Sequence, residues 1–331
     1  MIFGVPAAVI ASVILILSYA VLFSEKLNRA VAVMLGAAAM VLLGVLSYDQ
    51  ALKGIDFNTI ALLIGMMIMV GIMEKSGAFQ YAAVKSAKLV KANPRGILAV
   101  LGVVTAVLSA FLDNVTTVLL IVPVTMQIAN KLEVNPYPYL LINIFASNIG
   151  GTATLIGDPP NILIGSALEL SFTDFLFHLT PVVLVIMAAV VGMFIYFWKD
   201  SLTTSLKNRA LVMNINEEDA ITDFSLLKKA LWVLGMVMAA FVVAHDIGFE
   251  NGFIALAGAA VMLLLYTMGL PHAQSDEKVE DVLRRVDWTT VFFFVGLFVI
   301  VGALDESGFL KKMGDYFVGV TGGSIKKSVY V

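Results

Sequence analysis

Apolar residues run along this chain in long blocks, at 2–23, 30–48, 58–74, 177–198, 229–246, 252–269 and 288–304, separated by short polar connections. Each block approaches or matches the ~20 residues a helix needs to cross the hydrocarbon layer of a bilayer. Backbone groups in lipid have no water to pair with, so such blocks have to be helices, and any break in one has to face protein or water. Two further stretches, 96–129 and 138–168, carry breaks. In the first, "ILAVLGVVTAVLSAFL" and "VTTVLLIVPVTMQIA" are arms of 16 and 15 residues with Asp113-Asn114 between them. Each arm is short for a crossing, and the pattern predicts a hairpin that enters the membrane and turns at depth. In the second, Gly150-Gly151 loosens the helix, while Pro159-Pro160 removes donors and clashes with the preceding turn. That crossing is expected to unwind in its middle. The expected class is an all-α, multi-pass integral membrane protein.

The pattern also repeats. "IDFNTIALLIGMMIMVGIMEKSGAF" (55–79) aligns without gaps to "VDWTTVFFFVGLFVIVGALDESGFL" (286–310), with seven of 25 pairs identical, polar ones at both ends included. Upstream, "LGAAAMVLL" resembles "AGAAVMLLL". By the count of crossings the two copies run in opposite directions, the mark of inverted-repeat secondary transporters, whose substrates sit where broken helices of the two halves meet. The organisation expected is a first repeat over 1–198, a polar linker over 199–227 and a partial second repeat over 228–331. The second is expected to be truncated, because the 231-residue offset takes the end of the first half to position 429. Of the 21 basic residues, 16 fall on the side reached after the first helix. Positive charge marks that side as cytoplasmic. The N-terminus is then external, the hairpin enters from the cytoplasmic side, and the cell (inner) membrane is the expected location.

Composition sharpens this picture by exclusion. The chain is 60% hydrophobic and 14% charged, against about 25% charged in an average soluble domain. With no cysteine, disulfides, Cys-ligated metal centres and thiol nucleophiles are out. His178, His245 and His272 are scattered without metal-ligand spacing. No Walker A, H-E-x-x-H, G-x-S-x-G or Rossmann fingerprint occurs, so no enzyme activity, resident cofactor or nucleic-acid partner is expected. The segment "AFQYAAVKSAKLVKANPR" is amphipathic, with lysines on one face, and is expected to lie on the membrane surface. Glu74 and Asp305, equivalent in the repeat, read as solvated caps.

The chemistry gathers at the two breaks. An Asp at membrane depth costs about 2.5–3.5 kcal/mol on insertion scales and is a functional candidate by default. Asp113 or Asn114 can cap the second hairpin arm, and the hydroxyls of Thr116 and Thr117 in its first turn can point at an ion. In the other break, Ser147, Asn148, Thr152, Thr154, Asp158 and Asn161 add side-chain oxygens. Unwinding at Gly150, Gly151 and Pro159 frees carbonyls for Na+ and opens a helix N-terminus to an anion. Asp113, Asn114, Asn148 and Asp158 are the candidate Na+ ligands, and Asp113 and Asp158 could equally exchange a proton. The alternatives are a passive channel and an intramembrane hydrolase using the two aspartates as paired carboxylates.

"FLDNVTTVLLIVPVT" followed by "SNIGGTATLIGDPPNILI" resembles the arsenite permease and NhaD-type sodium/proton antiporter family, in its P-protein-like branch. That family lies in the ion transporter superfamily, with its citrate-transporter-like domain and dicarboxylate carriers. The resemblance implies a hairpin and a broken helix in each inverted repeat, a homodimer, and a small inorganic or organic ion carried by alternating access with Na+ or H+ as coupling ion. The dicarboxylate carriers have Ser-Asn-Thr at the hairpin tip, whereas here an acid, Asp113, precedes the Asn. That favours cation or proton handling over dicarboxylate binding. Arsenite, without a thiol, would be held as the neutral acid by hydroxyls and amides.

Overall fold

The computed structural model describes residues 5–168 and 170–321, and among these it is helical, with no strand assigned. In chain order the α-helices are α1 Ala7–Phe23, α2 Arg29–Leu42, α3 Tyr48–Lys53, α4 Phe57–Lys75, α5 Ala78–Leu89, α6 Pro94–Ser109, α7 Asn114–Leu132 and α8 Tyr137–Gly151. There follow α9 Pro159–Ala167, α10 Phe172–Phe197, α11 Leu206–Met213, α12 Phe224–Ile247, α13 Asn251–Thr267, α14 His272–Arg284, α15 Trp288–Glu306 and α16 Phe309–Thr321. Five (α4, α7, α10, α12 and α15) are long and apolar enough to cross a membrane, and α1, α2, α6 and α13 are shorter apolar helices.

Three expectations are corrected. The block 30–48 does not run through: α2 stops at Leu42, Gly44 takes the left-handed conformation (φ 75°), and Ser47 starts α3 with a capping box to Gln50. Glycine is the residue that reaches that conformation without strain, so it ends the helix. The second hairpin arm is longer than its apolar stretch, because Asn130, Lys131 and Leu132 continue α7 to 19 residues before Glu133 turns left-handed. And the apolar face of α5, expected against a membrane surface, is covered by protein. Phe79, Ala83, Val84 and Ala87 are buried as α5 packs on α6, α7 and the 199–227 linker. The sequence pattern gave the apolar face correctly but not what covers it.

The chain divides by packing into two compact units, Met1–Ile60 with Asp287–Val331, and Ala61–Val286. This division cuts across the one by internal repeat. In the first unit, α1, α2 and α15 share a core around Ala11, Val33, Ala37, Met40, Ile300 and Ala303. Gly36 lies against Ser18 and Ile300, where a Cβ would overlap the Ser18 hydroxyl. Gly296 lies against Val33 and Met34, where a Cβ would come within 3.1 Å of the Met34 nitrogen. Asp56 and Asp287 start α4 and α15 in the same way. Each accepts from the backbone N–H of the Thr three residues on, at 3.1 Å for both Thr59 and Thr290, and from that residue's hydroxyl. Caps of this kind stabilise a helix by about 1 kcal/mol, and they account for the Asp/Thr identities at the start of the repeat.

In the second unit, Gly65 of α4 meets the backbone of Ala255 in α13, and Gly258 of α13 lies against Val237 of α12 and Met69 of α4. The polar linker folds as α11 and a 3-10 turn, Glu217–Ala220, and takes up carbonyls left free at helix ends. Asn208 donates to the Leu132 carbonyl at 3.2 Å, Arg209 to that of Lys91 at 2.7 Å, and the Thr222 N–H to that of Ser76 at 3.1 Å. Glu74, read from sequence as a solvated cap, accepts from Arg285 at 2.9 Å.

Candidate ion and substrate site

Both breaks form, and they form against each other. Asp113 sits at the start of α7 in extended conformation, and its Oδ2 accepts from the Thr116 N–H at 2.9 Å. Asn114 accepts from the Val115 N–H with its Oδ1 and donates through Nδ2 to Asn148 Oδ1 at 3.0 Å, which joins the hairpin turn to α8. Helix α8 ends at Gly151, and Thr152–Asp158 are unwound before α9 begins at Pro159. Within that segment the Thr154 hydroxyl donates to the Ala110 carbonyl in the hairpin turn and accepts from the Ile156 and Gly157 N–H groups. Thr152 donates back to the Asn148 carbonyl at 2.9 Å.

Glycine makes the close approach possible. A Cβ at Gly150 would overlap the carbonyl of Ala106 in α6, one at Gly157 would lie 2.5 Å from the Ser109 carbonyl oxygen, and one at Gly151 would lie 2.8 Å from that of Gly157. Each of these neighbours is backbone, which cannot swing aside. Ser109 in turn donates to the Ser147 carbonyl at 2.7 Å.

The predicted residues fall into two groups. Asn148 and Thr152 are exposed, and Asp113, Asn114, Thr116, Asp158 and Pro159 are half-buried, so these line an open face. Thr117, Ser147, Gly150, Gly151, Thr154 and Asn161 are buried beneath it. Asp158 occupies the cap position of α9 but makes no capping bond, so its carboxylate is not used up in starting the helix. Thr117 Oγ1 is buried with no hydrogen-bond partner. Asn161 turns its nitrogen inward, donating to the carbonyls of Gly151 (3.3 Å), Thr152 (3.3 Å) and Thr154 (2.8 Å).

One expectation fails on chemistry that was visible in the residues themselves. A fresh helix start at α9 should offer four free N–H groups to an anion, but Pro159 and Pro160 have none and the Asn161 N–H bonds to the Asp158 carbonyl at 2.9 Å. At α7 the Val115, Thr116 and Thr117 N–H groups are likewise taken. This face therefore presents oxygens and carboxylates far more than donors.

Sequence reading missed the layer beneath. Asn143 of α8 donates to Thr125 of α7 at 2.8 Å and pairs with Thr105 of α6 at 3.2 Å, all three no more than 1% exposed. One buried amide thus ties both hairpin arms to the broken helix. The available signal was spacing: Thr105 and Ser109 on α6, and Asn143 and Ser147 on α8, lie four apart and so on one helix face.

The family whose pattern matches is described as "citrate transporter", over residues 19–329. A Mycobacterium tuberculosis protein named an uncharacterized transporter is 38% identical over 328 residues, covering 98% of this chain and 74% of its own length. The 46 kDa membrane protein of Mycobacterium leprae is 37% identical over 320 residues, covering 96% and 72%. The P protein of Homo sapiens is 32% identical over 382 aligned positions, covering 92% of this chain and 45% of its own length.

Proposed function

Since the chain belongs to the citrate transporter family, we propose that it is an ion-coupled secondary transporter in which Asp113 and Asp158 carry the coupling cation, Na+ or a proton. As a multi-pass membrane protein of a transporter family it is no enzyme, so the paired aspartates need a role other than hydrolysis. The observation that carries the reading is their placement: two half-buried carboxylates, one at each of two breaks that the Asn114–Asn148 and Thr154–Ala110 hydrogen bonds hold together. Carboxylates brought together in this way favour a bound cation or a shared proton. The buried, unpartnered Thr117 hydroxyl is a further oxygen for it. The scarcity of free N–H groups at both helix starts argues that a carboxylate or arsenite solute is met outside this face, and it favours the sodium/proton antiporter branch over the dicarboxylate carriers.

Inverted repeats are supported by a packing lock that occurs twice. Gly36 against Ile300 and Gly296 against Val33 in one unit have their counterparts in Gly258 against Met69 and Gly65 against Ala255 in the other. Ile300 and Met69, like Gly296 and Gly65, are paired positions of the repeat. Val33 and Ala255 each stand three residues before the matching glycine. Each lock joins a helix of the first half to one of the second. The hydrogen bonds that Asn143 makes to both hairpin arms support α6, α7 and α8 moving as one body during alternating access. The bias of basic residues to one side supports an N-terminus outside and a hairpin entering from the cytoplasm.

The test is flux in proteoliposomes under an imposed Na+ or pH gradient, with Na+, arsenite and citrate each offered as solute. Gradient-driven movement of one of them is expected in the wild type. Asp113→Asn and Asp158→Asn should each reduce it at least tenfold while leaving the protein folded. Coupled flux unchanged in both variants would falsify the assignment.

A further inference from the structure

Unwinding a helix releases carbonyl oxygens, and three of them, from Gly151, Thr152 and Thr154, converge on one point. That point is occupied by Asn161 Nδ2, at 3.3, 3.3 and 2.8 Å. The orientation of the amide follows from its surroundings, because all three neighbours are acceptors and the nitrogen is the end of the side chain that donates. Asn161 itself is buried, at 8% exposure, and its backbone N–H is fixed to the Asp158 carbonyl, so the residue is held at its main chain as well as at its side chain. A carbonyl cup of this kind is the usual seat of a hard cation. Here a partial positive charge already fills it.

We propose that the side-chain amide of Asn161 is a built-in stand-in for a metal cation, which satisfies the freed carbonyls of the broken helix and closes their cup to Na+. The inference rests on the transporter reading above and deepens it. Cation binding in this half is then left to the carboxylates of Asp113 and Asp158 with the Thr117 hydroxyl, and Asn161 sets specificity by denying a metal ion the carbonyl oxygens of the broken helix. The neighbouring side chains act in the same sense. Asn148 Oδ1 is taken by Asn114, and the Thr154 hydroxyl is spent on Ala110 and on two backbone N–H groups.

The proposal is tested on the detergent-solubilised full chain by thermal unfolding, titrating NaCl against choline chloride at fixed pH and ionic strength. This readout does not depend on transport. The Asp113→Asn/Asp158→Asn protein should show no Na+-specific shift. Added to that background, Asn161→Asp replaces the donor with a carboxylate, opens the cup and should create a Na+ site. Its unfolding temperature should rise by roughly 5 °C when Na+ is about a hundredfold above the dissociation constant. If Asn161→Asp does not fold, Asn161→Gly opens the same cup and should show the same specificity for Na+ with a smaller shift. A Na+-specific shift in the Asp113→Asn/Asp158→Asn protein would overturn the proposal, since it would place Na+ in the cup with the amide present. So would a folded Asn161→Asp or Asn161→Gly protein that responds to Na+ and choline alike. Loss of coupled flux in the aspartate variants bears on the transport reading alone.

Discussion

Replacing Gly150 by alanine sets helix propensity against close packing. In an exposed helix the change favours folding by about 0.8–1 kcal/mol. At Gly150 the new Cβ would stand 2.5 Å from the carbonyl carbon of Ala106, and ordinary contact requires roughly another ångström of separation between α8 and α6. Overpacking of this kind costs typically about 1–3 kcal/mol. The same displacement stretches the Thr105–Asn143, Ser109–Ser147 and Thr154–Ala110 hydrogen bonds that cross the interface, each worth about 0.6 kcal/mol on average between membrane helices. The steric and hydrogen-bond losses exceed the propensity gain, leaving a net cost of about 1–4 kcal/mol, or roughly 2–15 °C in unfolding temperature. Gly192 of α10 is the control, because a Cβ there meets nothing within 4 Å. Thermal unfolding of both variants in one detergent checks the reasoning. Gly150→Ala should unfold well below wild type and Gly192→Ala at or slightly above it. If Gly150→Ala unfolds no earlier than Gly192→Ala, the contact between α6 and α8 is not as close as described.

Two more outcomes follow from particular contacts. Asn143→Leu removes the donor to Thr125 and the partner of Thr105, and at the membrane value for interhelical bonds should cost about 1–2 kcal/mol. Because it frees α7 from α8, it should also lower coupled flux more than Gly192→Ala does; flux equal to the control would show that the hairpin arms need no such tie. Lys88 of α5 holds the carboxyl of Glu217 in the linker below its ordinary value through a direct hydrogen-bonded ion pair. A depressed carboxylate contributes stability that is whole above the ordinary glutamate pKa of about 4.3 and is lost as pH falls through the lower folded value. Hydrogen exchange at 215–222, corrected for intrinsic rates, should therefore speed up between pH 5 and 3 in wild type, and that step should vanish in Lys88→Met.

Much of the fold was legible because lipid leaves the backbone few options. Long apolar blocks have to be helices, and the breaks at Asp113-Asn114 and at Gly150 to Pro160 had to fall where helices cannot continue. The matching caps at Asp56 and Asp287 and the close-packed glycines Gly65 and Gly296 were legible too, because the same residue types serve the same helix start and the same close approach wherever they recur. Even the weakness of α9 as an anion site was written in two adjacent prolines. What the sequence could not determine is which groups face one another. Apolarity on α5 does not distinguish lipid from a neighbouring helix, and only the packing put α6, α7 and the linker over it. Asn161 looked like an oxygen ligand because its type allows either end of the amide to act, and the surrounding carbonyls decided that the nitrogen points inward. Asn143 was invisible as a tie because its partners lie 18 and 38 residues away in the chain. Local pattern fixes what a residue can do in a helix or a turn, whereas the direction of a hydrogen bond and the cover over an apolar face depend on distant segments brought together by folding.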